Sequence, residues 1–191
     1  MFQLNWQATR AWFLLLSMPL NKYAPQASTH RRTNSAILFA TKNLIATVGL
    51  AKMSMIEIAD TSEVSRATLY NHFRDKESVV AALCESECER LISIAQSAAN
   101  ASEALEILSI EISTDPALAH MRIHDPALLT RALGLREHPL WGRLANELVL
   151  ITGSQLLAHV SLLWLIGQVL HPIAEHNSKL QAELLISRAH I

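Results

Sequence analysis

The sequence contains few residues that break helices and few that form disulfides. Its 191 residues include five Gly, six Pro and two Cys. So few Gly and Pro leave too few turns for an all-β protein, and two Cys exclude a disulfide scaffold and suit a reducing compartment. Charged residues make up 17% and aromatic residues 5%, whereas 50% are apolar. This composition excludes a disordered or collagen-like chain and predicts a helical protein with a sizeable core.

The sequence also lacks a large excess of either charge. The formal net charge is -1, which by itself predicts no affinity for DNA or for an acidic membrane surface. The average hides an asymmetry, because residues 30–78 carry seven Lys or Arg against five acids and residues 79–191 carry seven against twelve. An N-terminal part able to meet phosphate therefore precedes an acidic remainder.

Two apolar stretches raise the question of export or membrane insertion. Ala11–Leu20 has the length of a signal-peptide core, but Ala24–Ala27 is a poor cleavage site, so we interpret this stretch as a mis-called start or a loosely attached amphipathic arm. Leu148–Leu170 is uncharged and long enough to span a bilayer. Its polar side chains would be costly in lipid, which favours a helix buried between protein surfaces. These polar residues are Thr152, Ser154, Gln155, His159, Ser161 and Gln168.

Apolar residues at helical spacing begin after a polar segment. Residues 21–34 are rich in Pro, Ser, Thr, Asn and Gln, which predicts a flexible arm. The following pattern predicts a helix from about Asn34 to Val48, with Gly49 as its left-handed terminator.

Two short helices are predicted next, joined by a three-residue turn. Ser54 and Glu57 have the S-x-x-E spacing of a capping box, which predicts a helix that ends near Thr61. Ser65 is the candidate N-cap of a further helix that ends near His72. Two short helices in this arrangement are what a helix-turn-helix requires.

The residues of this region also form recognisable blocks. They are SMIEIA at Ser54–Ala59, VSRATLYNHF at Val64–Phe73 and DKE at Asp75–Glu77, all following the helical segment Ile37–Gly49. Together they resemble the DNA-binding domain of the TetR family of transcriptional regulators, over about Ser35–Leu83.

The resemblance implies an all-α fold in which a three-helix N-terminal helix-turn-helix domain precedes a helical ligand-binding and dimerisation domain. It divides the chain into a flexible extension at 1–33, a DNA-binding domain at 34–78 and an effector-binding and dimerisation domain at 79–191.

The resemblance also implies which residues meet DNA. Arg66 and Thr68 would face base edges, whereas Ser54 and Lys76 would meet phosphates. The candidate DNA-binding residues are Ser54, Ser65, Arg66, Ala67, Thr68, Tyr70, Asn71, His72 and Lys76. Two positions depart from the family pattern. The turn position usually taken by Gly is Glu63, where a left-handed backbone would cost about 1 kcal/mol, and Ile56 replaces a residue that often contacts bases.

The C-terminal part is predicted to be an all-α body of about six helices, five of which have predicted bounds. The predicted helices cover about residues 76–98, 101–112, 126–136, 140–170 and 173–189. The uncharged helix and the final helix look like the pair that forms the four-helix dimer interface in this family, with an intramolecular core as the alternative. The candidate interface residues are Leu156, Val160, Leu163, Leu180 and Leu184.

Other residue pairs have weaker functional interpretations. Cys84 and Cys88 lie four apart, where a disulfide would be strained, so packing is favoured over redox sensing. For the candidate effector pocket we take His120, His124, Trp141 and Trp164. The histidines could hold a metal, but no second cluster supports one, and core packing is the alternative for both Trp side chains.

We therefore expect a cytoplasmic homodimer that binds double-stranded operator DNA with inverted-repeat symmetry. An unidentified small-molecule effector would release it, so it would act as a repressor. Catalytic motifs are lacking, and we predict neither enzymatic activity nor a cofactor or metal. The alternatives are a dimeric helical interaction module with weak or no specific DNA binding, and a membrane-associated protein.

Overall fold

The computed structural model describes residues 24–134 and 139–187. In this part of the chain there are ten helices and no strand, which confirms the predicted all-α class. The helices are α1 (Ala24–Thr47), α2 (Met55–Thr61), α3 (Arg66–His72), α4 (Lys76–Gln96), α5 (Ala101–Thr114), α6 (Pro116–His124), α7 (Pro126–Gly134), α8 (Pro139–Thr152), α9 (Gln155–Leu170) and α10 (Glu175–Ser187).

Helix α1 begins at Ala24 rather than near Asn34. The prediction of a flexible arm is therefore wrong for residues 24–33, which are helical. Pro25 lies in the first turn, where a missing N–H costs nothing, and neither Gly nor Pro follows before Gly49. The chain divides into two compact units between Ser35 and Ala36, and the contacts described below lie within the second unit.

Side-chain caps fix the starts of the next helices as predicted. Ser54 caps α2, and its capping box with Glu57 is complete, because the Ser54 backbone N–H donates to Glu57 Oε2 at 2.8 Å. Ser65 caps α3 by accepting from the Thr68 N–H at 3.0 Å. Asp75 caps α4 in the same way. These three N-caps determine where α2, α3 and α4 begin.

Two left-handed residues close the helices before the turns. Gly49 has φ +93°, and a Cβ there would lie 3.0 Å from Asp125 Oδ2 and from His120 Nε2, so any other residue would strain the backbone and press on both side chains. Glu63, in the turn between α2 and α3, has φ +56°. The departure noted in the sequence therefore places a non-Gly residue in a strained conformation.

Relief of this strain gives a stability prediction. We expect Glu63→Gly to stabilise the protein by about 0.5 kcal/mol. The left-handed penalty of about 1–2 kcal/mol that it removes exceeds the free-energy cost of the greater freedom that Gly gives the unfolded chain. Urea unfolding followed by circular dichroism measures the change. Glu63→Ala is the control, since it removes the charge and keeps the strain; an equal gain in that variant would contradict the argument.

The C-terminal part differs from the prediction in two places. Helix α6 was not predicted, although Asp115 caps it and Pro116 opens it. The predicted helix 140–170 is divided into α8 and α9, because Gly153 has φ +70° and Ser154 caps a new helix. The predicted ends at 136 and 189 lie outside the described residues.

The buried apolar side chains form two clusters. The first joins α1, α2, α3 and the start of α4 to α6 and α7 through Ala117, Met121 and Leu129. The second joins the end of α4 to α5, α8, α9 and α10. Helices α6 and α7 therefore share a core with the predicted DNA-binding helices.

A layer of buried polar side chains lies in the second cluster. The Ser109 hydroxyl on α5 makes hydrogen bonds to Gln168 Oε1 on α9 and to Ser178 Oγ on α10, at 2.5 and 2.6 Å. Ser178 and Ala182 are both 0% exposed. Because these residues are small, α10 can approach α5 closely.

Candidate nucleic-acid interface and ligand cavities

The α2–turn–α3 unit is held by a small apolar seam. Ile58, Ala59 and Leu69 are at most 1% exposed, and Val64 in the turn packs against the same cluster. The Ala59 carbonyl accepts a hydrogen bond from the Val64 N–H at 3.1 Å, which joins the turn to α2. The seam therefore fixes the angle between α2 and α3.

The outer face of α3 carries the predicted base-reading residues. Ser65, Arg66, Ala67, Tyr70 and Asn71 are exposed, whereas Thr68 and His72 are half-buried. Ser65 Oγ and Thr68 Oγ1 lie 2.8 Å apart and share the cap of the helix.

Arg66 is free to reach outward, because no hydrogen bond or ion pair within the described residues holds its guanidinium group. Its position at the first turn of α3 is where a recognition helix contacts base edges.

Ser54 and Lys76 have internal partners. The Ser54 hydroxyl donates to Glu57 Oε2 at 2.7 Å. The Lys76 ammonium donates to the Met53 carbonyl at 3.1 Å and the Leu50 carbonyl at 3.3 Å. Lys76 thus ties the start of α4 to the loop before α2, and a phosphate contact for it remains a prediction.

Sequence reasoning did not include two exposed cations in the site. Lys52 lies in the loop before α2, and Arg74 lies between α3 and α4 with its side chain 91% exposed. Arg74 Nε donates to Asp75 Oδ2 at 2.8 Å. The signal was available, since Lys52 lies two residues before the N-cap Ser54 and Arg74 directly before the N-cap Asp75, and phosphates are commonly bound at helix N-termini.

An apolar cavity of about 180 Å³ lies between α4, α5, α6, α8 and α9. We call this the apolar cavity. Leu91, Ile112, Leu118 and Trp141 are among its walls, and Glu147 is the single polar residue in its lining. Its chemistry suits an apolar group of a ligand.

A second cavity, of about 230 Å³, lies between α1, α4, α5, α6 and α7. We call this the charged cavity. Five charged side chains line it: Lys42, Glu87, Arg90, Glu111 and Asp115. It shares the side chains of Leu91, Ile112 and Leu118 with the apolar cavity, so the two cavities are adjacent.

The charged side chains form one network of ion pairs. Lys42 Nζ lies 2.7 Å from both Glu87 Oε2 and Asp115 Oδ2, and Arg90 contacts Glu87 and Glu111 at 3.0 and 2.6 Å. Desolvation lowers the pKa of Lys42, but the hydrogen bonds to Asp115 and Glu87 outweigh it, so the pKa of Lys42 is raised. The network ties α1 to α4 and to the α5–α6 corner.

The structure does not bring the four predicted effector residues together. Trp141 lines the apolar cavity, whereas Trp164 Nε1 donates to Gln181 Oε1 at 2.7 Å between α9 and α10. His120 and His124 stack at 4.2 Å on α6, and His120 lies against Gly49. Neither histidine lines either of these two cavities.

The predicted interface leucines are exposed. Leu156, Val160 and Leu163 on α9 are 75%, 41% and 46% exposed, and Leu180 and Leu184 on α10 are 60% and 56% exposed. Such a concentration of exposed apolar side chains on two neighbouring helices is typical of an interaction surface.

The surroundings of the two cysteines disfavour a reactive thiol. Desolvation raises the pKa of the Cys84 and Cys88 thiols, which disfavours the reactive thiolate. No cluster of three or more His, Cys, Asp or Glu side chains suited to a metal occurs in residues 24–134 and 139–187. None of the helices in these residues is both long and apolar enough to cross a bilayer.

Comparison with known proteins gives a match at the N-terminal domain. The model of the family described as bacterial regulatory proteins, tetR family, matches residues 37–83. This segment comprises the C-terminal part of α1, all of α2 and α3, and the start of α4. No curated protein matches the chain in sequence.

One solved structure with a TM-score above 0.5 shares the fold over most of the chain. A candidate transcriptional regulator from Streptomyces coelicolor A3(2) is similar with a TM-score of 0.60 and 21% identity, over 82% of this chain and 99% of its own. A candidate regulator of fatty acid metabolism from Clostridium perfringens has a TM-score of 0.46 and 16% identity, over 80% of this chain and 97% of its own.

Proposed function

We propose that this protein, a transcriptional regulator whose residues 37–83 match the TetR-type DNA-binding domain, is a homodimeric repressor. A small-molecule effector releases it from DNA. The observation that carries the proposal is the exposed outer face of α3, whose inner face packs in the α2–α3 seam. Arg66 and Thr68 read base edges in the major groove, and the N-termini of α2 and α3, together with Lys52 and Arg74, bind phosphates.

The operator is an inverted repeat, because a twofold dimer presents two copies of α3. Half-sites are separated by about 34 Å, one turn of DNA. The surface of exposed leucines on α9 and α10 supports dimerisation through these helices, since an intramolecular core would have buried them.

Helix α6 supports coupling between effector and DNA. Its Leu118 lines both cavities, while Ala117 and Met121 pack in the cluster that contains α1, α2 and α3. Arg122 Nη1 also donates to the Val169 carbonyl at the end of α9, at 3.1 Å. A ligand that moves α6 therefore moves the DNA-binding helices. The resulting change in the free energy of DNA binding is no larger than the difference in the ligand's binding free energy between the two states.

Fluorescence anisotropy tests this function directly. The purified protein is titrated onto DNA from upstream of its own gene and onto random DNA, at several salt concentrations. We expect preferential binding to the upstream DNA with a steep salt dependence, because phosphate contacts release counterions. Equal and weak binding to both DNAs would contradict the proposal.

The second candidate function is a dimeric helical interaction module with weak or no specific DNA binding. The exposed carboxylate of Glu63 favours it, because the turn it occupies precedes the recognition helix, where a negative charge opposes phosphate. In this case Glu63→Gly would leave DNA binding weak, whereas a repressor would bind DNA more tightly after this change.

A further inference from the structure

The two cavities differ in chemistry and share three side chains of their walls, which points to a ligand of mixed character. We propose that they take one amphipathic organic cation, whose apolar chain occupies the apolar cavity and whose ammonium group replaces Lys42 at Glu87 and Asp115. The inference rests on the proposed function only where it connects this ligand to DNA release.

The apolar cavity selects the chain of the ligand. Of its walls only Glu147 is polar, and Gln96 Nε2 already donates to that carboxylate at 2.9 Å. An apolar cavity of about 150 Å³ is large enough to bind benzene, so the 180 Å³ here accepts part of an alkyl chain or one ring. Leu91, Ile112 and Leu118 form the wall shared with the charged cavity. A ligand that extends from one cavity into the other displaces these side chains.

The charged cavity selects the head group. Its lining has three carboxylates, Glu87, Glu111 and Asp115, against two cations, Lys42 and Arg90. An anionic head would add a fourth negative charge to a partly buried network, which is costly without a new partner. A cationic head instead leaves the charge of the ion-pair network unchanged, because it takes the place of the Lys42 ammonium at Glu87 and Asp115.

Lys42 itself demonstrates that this cluster holds an alkylammonium group. Its Nζ lies 2.7 Å from both Glu87 Oε2 and Asp115 Oδ2, with the side chain 24% exposed. A ligand with the same terminal group can make the same two ion pairs. Competition between the two ammonium groups follows, because Glu87 and Asp115 cannot hold both at full strength.

This competition has a consequence for α1. Lys42 lies on α1, Glu87 lies on α4, and Asp115 lies between α5 and α6, so its ion pairs join the first helix of the DNA-binding domain to the body. Replacement of Lys42 by the ligand removes both ion pairs at once. The ligand therefore favours a state in which α1 is less firmly held, and this difference links ligand binding to DNA affinity.

Isothermal titration calorimetry on the full chain tests the ligand class without DNA. The probes are n-decylamine, which is protonated at pH 7, n-decanol and decanoate. The two ions are kept below their micellar concentrations and decanol below its solubility limit. We expect decylamine to bind about tenfold more tightly than decanol, the effect of 1.4 kcal/mol, and decanoate to bind most weakly. Equal affinity for decylamine and decanol, or tighter binding of decanoate, would overturn the proposal.

Two variants locate the ammonium group. Lys42→Met removes the competing cation, so we expect the affinity for decylamine to rise about tenfold, whereas Glu87→Gln lowers it by a similar factor. Lys179→Met, at an exposed position on α10, is the matched control and leaves it unchanged. Unchanged decylamine affinity in Lys42→Met or Glu87→Gln overturns the assignment. Circular dichroism melts establish that each variant is folded, and Glu87→Gln decides the matter if Lys42→Met does not fold.

A DNA experiment separates this inference from the proposed function. Anisotropy with the upstream DNA is repeated with and without decylamine. Decylamine binding by a protein that binds no DNA would overturn the repressor proposal and support the ligand class. Specific DNA binding by a protein that shows no preference for decylamine would overturn only the present inference.

Discussion

The protein carrying Leu156→Asp and Leu184→Asp is expected to be a monomer and to bind the operator about 100-fold or more weakly. Each recognition helix then binds DNA alone, so the gain in affinity from linking two binding sites disappears. The two leucines are 75% and 56% exposed, so Asp at these positions costs the isolated subunit little. At the centre of a dimer interface, however, four unpaired carboxylates would be buried, which is strongly unfavourable. Sedimentation velocity and anisotropy measure the two effects.

Leu150→Asp is the matched control for this experiment. Leu150 lies on α8 and is 76% exposed, as exposed as Leu156, but it is not part of the predicted interface. We expect this variant to remain a dimer with unchanged operator affinity. A double variant that still sediments as a dimer and binds the operator normally would contradict the assignment of the α9–α10 surface.

Arg66→Ala is expected to weaken operator binding by about 5- to 150-fold, or 1–3 kcal/mol, and to change binding to random DNA far less. Arg66 is exposed at the first turn of α3, and a bidentate contact from Arg to a guanine is lost completely on truncation. Specificity therefore falls together with affinity. Anisotropy with the operator, a one-base variant of it and random DNA measures both.

Arg74→Ala provides the comparison for Arg66. Its side chain is 91% exposed between α3 and α4, and we assign it to a phosphate. Its removal should weaken the binding of all DNA sequences alike and reduce the salt dependence by about one counterion. If Arg66→Ala behaved in the same way, its proposed role in base reading would be wrong.

Local signals predicted the helix-turn-helix closely. Ser54, Ser65 and their partners three residues later determine where α2 and α3 begin, because capping depends only on residues within one turn. The family resemblance also placed Glu63 at the turn position usually taken by Gly, and its φ of +56° is indeed left-handed. The exposed leucines of α9 and α10 agree with the predicted surface, while their role in a dimer stays a prediction.

Long-range contacts could not be predicted in this way. Periodicity does not indicate that Lys76 binds the carbonyls of Leu50 and Met53, or that His120 lies against Gly49, because those partners are distant in sequence. The effector residues were chosen for their chemistry, but a cavity depends on how five helices pack. Only Trp141 of the four lines one of the two cavities.

Two helix boundaries that the prediction lacks have clear local signals in the sequence. Asp115 and Pro116 are an N-cap and a first-turn proline, and they open α6. Gly153 and Ser154 are a terminator and a cap, and they divide a stretch that composition alone made continuous. Both cases show that pairs of punctuating residues outweigh an uninterrupted apolar pattern.

Helix α10 packs with its small residues inward and its large ones outward. Ser178 and Ala182 are completely buried, while Leu180 and Leu184 are exposed. Apolar burial alone would favour a rotation of this helix that turns the leucines inward. The hydrogen bond between Ser109 and Ser178 opposes that rotation, because a turned helix would leave a buried hydroxyl without its partner. The polar layer therefore contributes orientation more than strength: it selects, among alternative rotations of one helix, the one that presents the leucines to a second subunit.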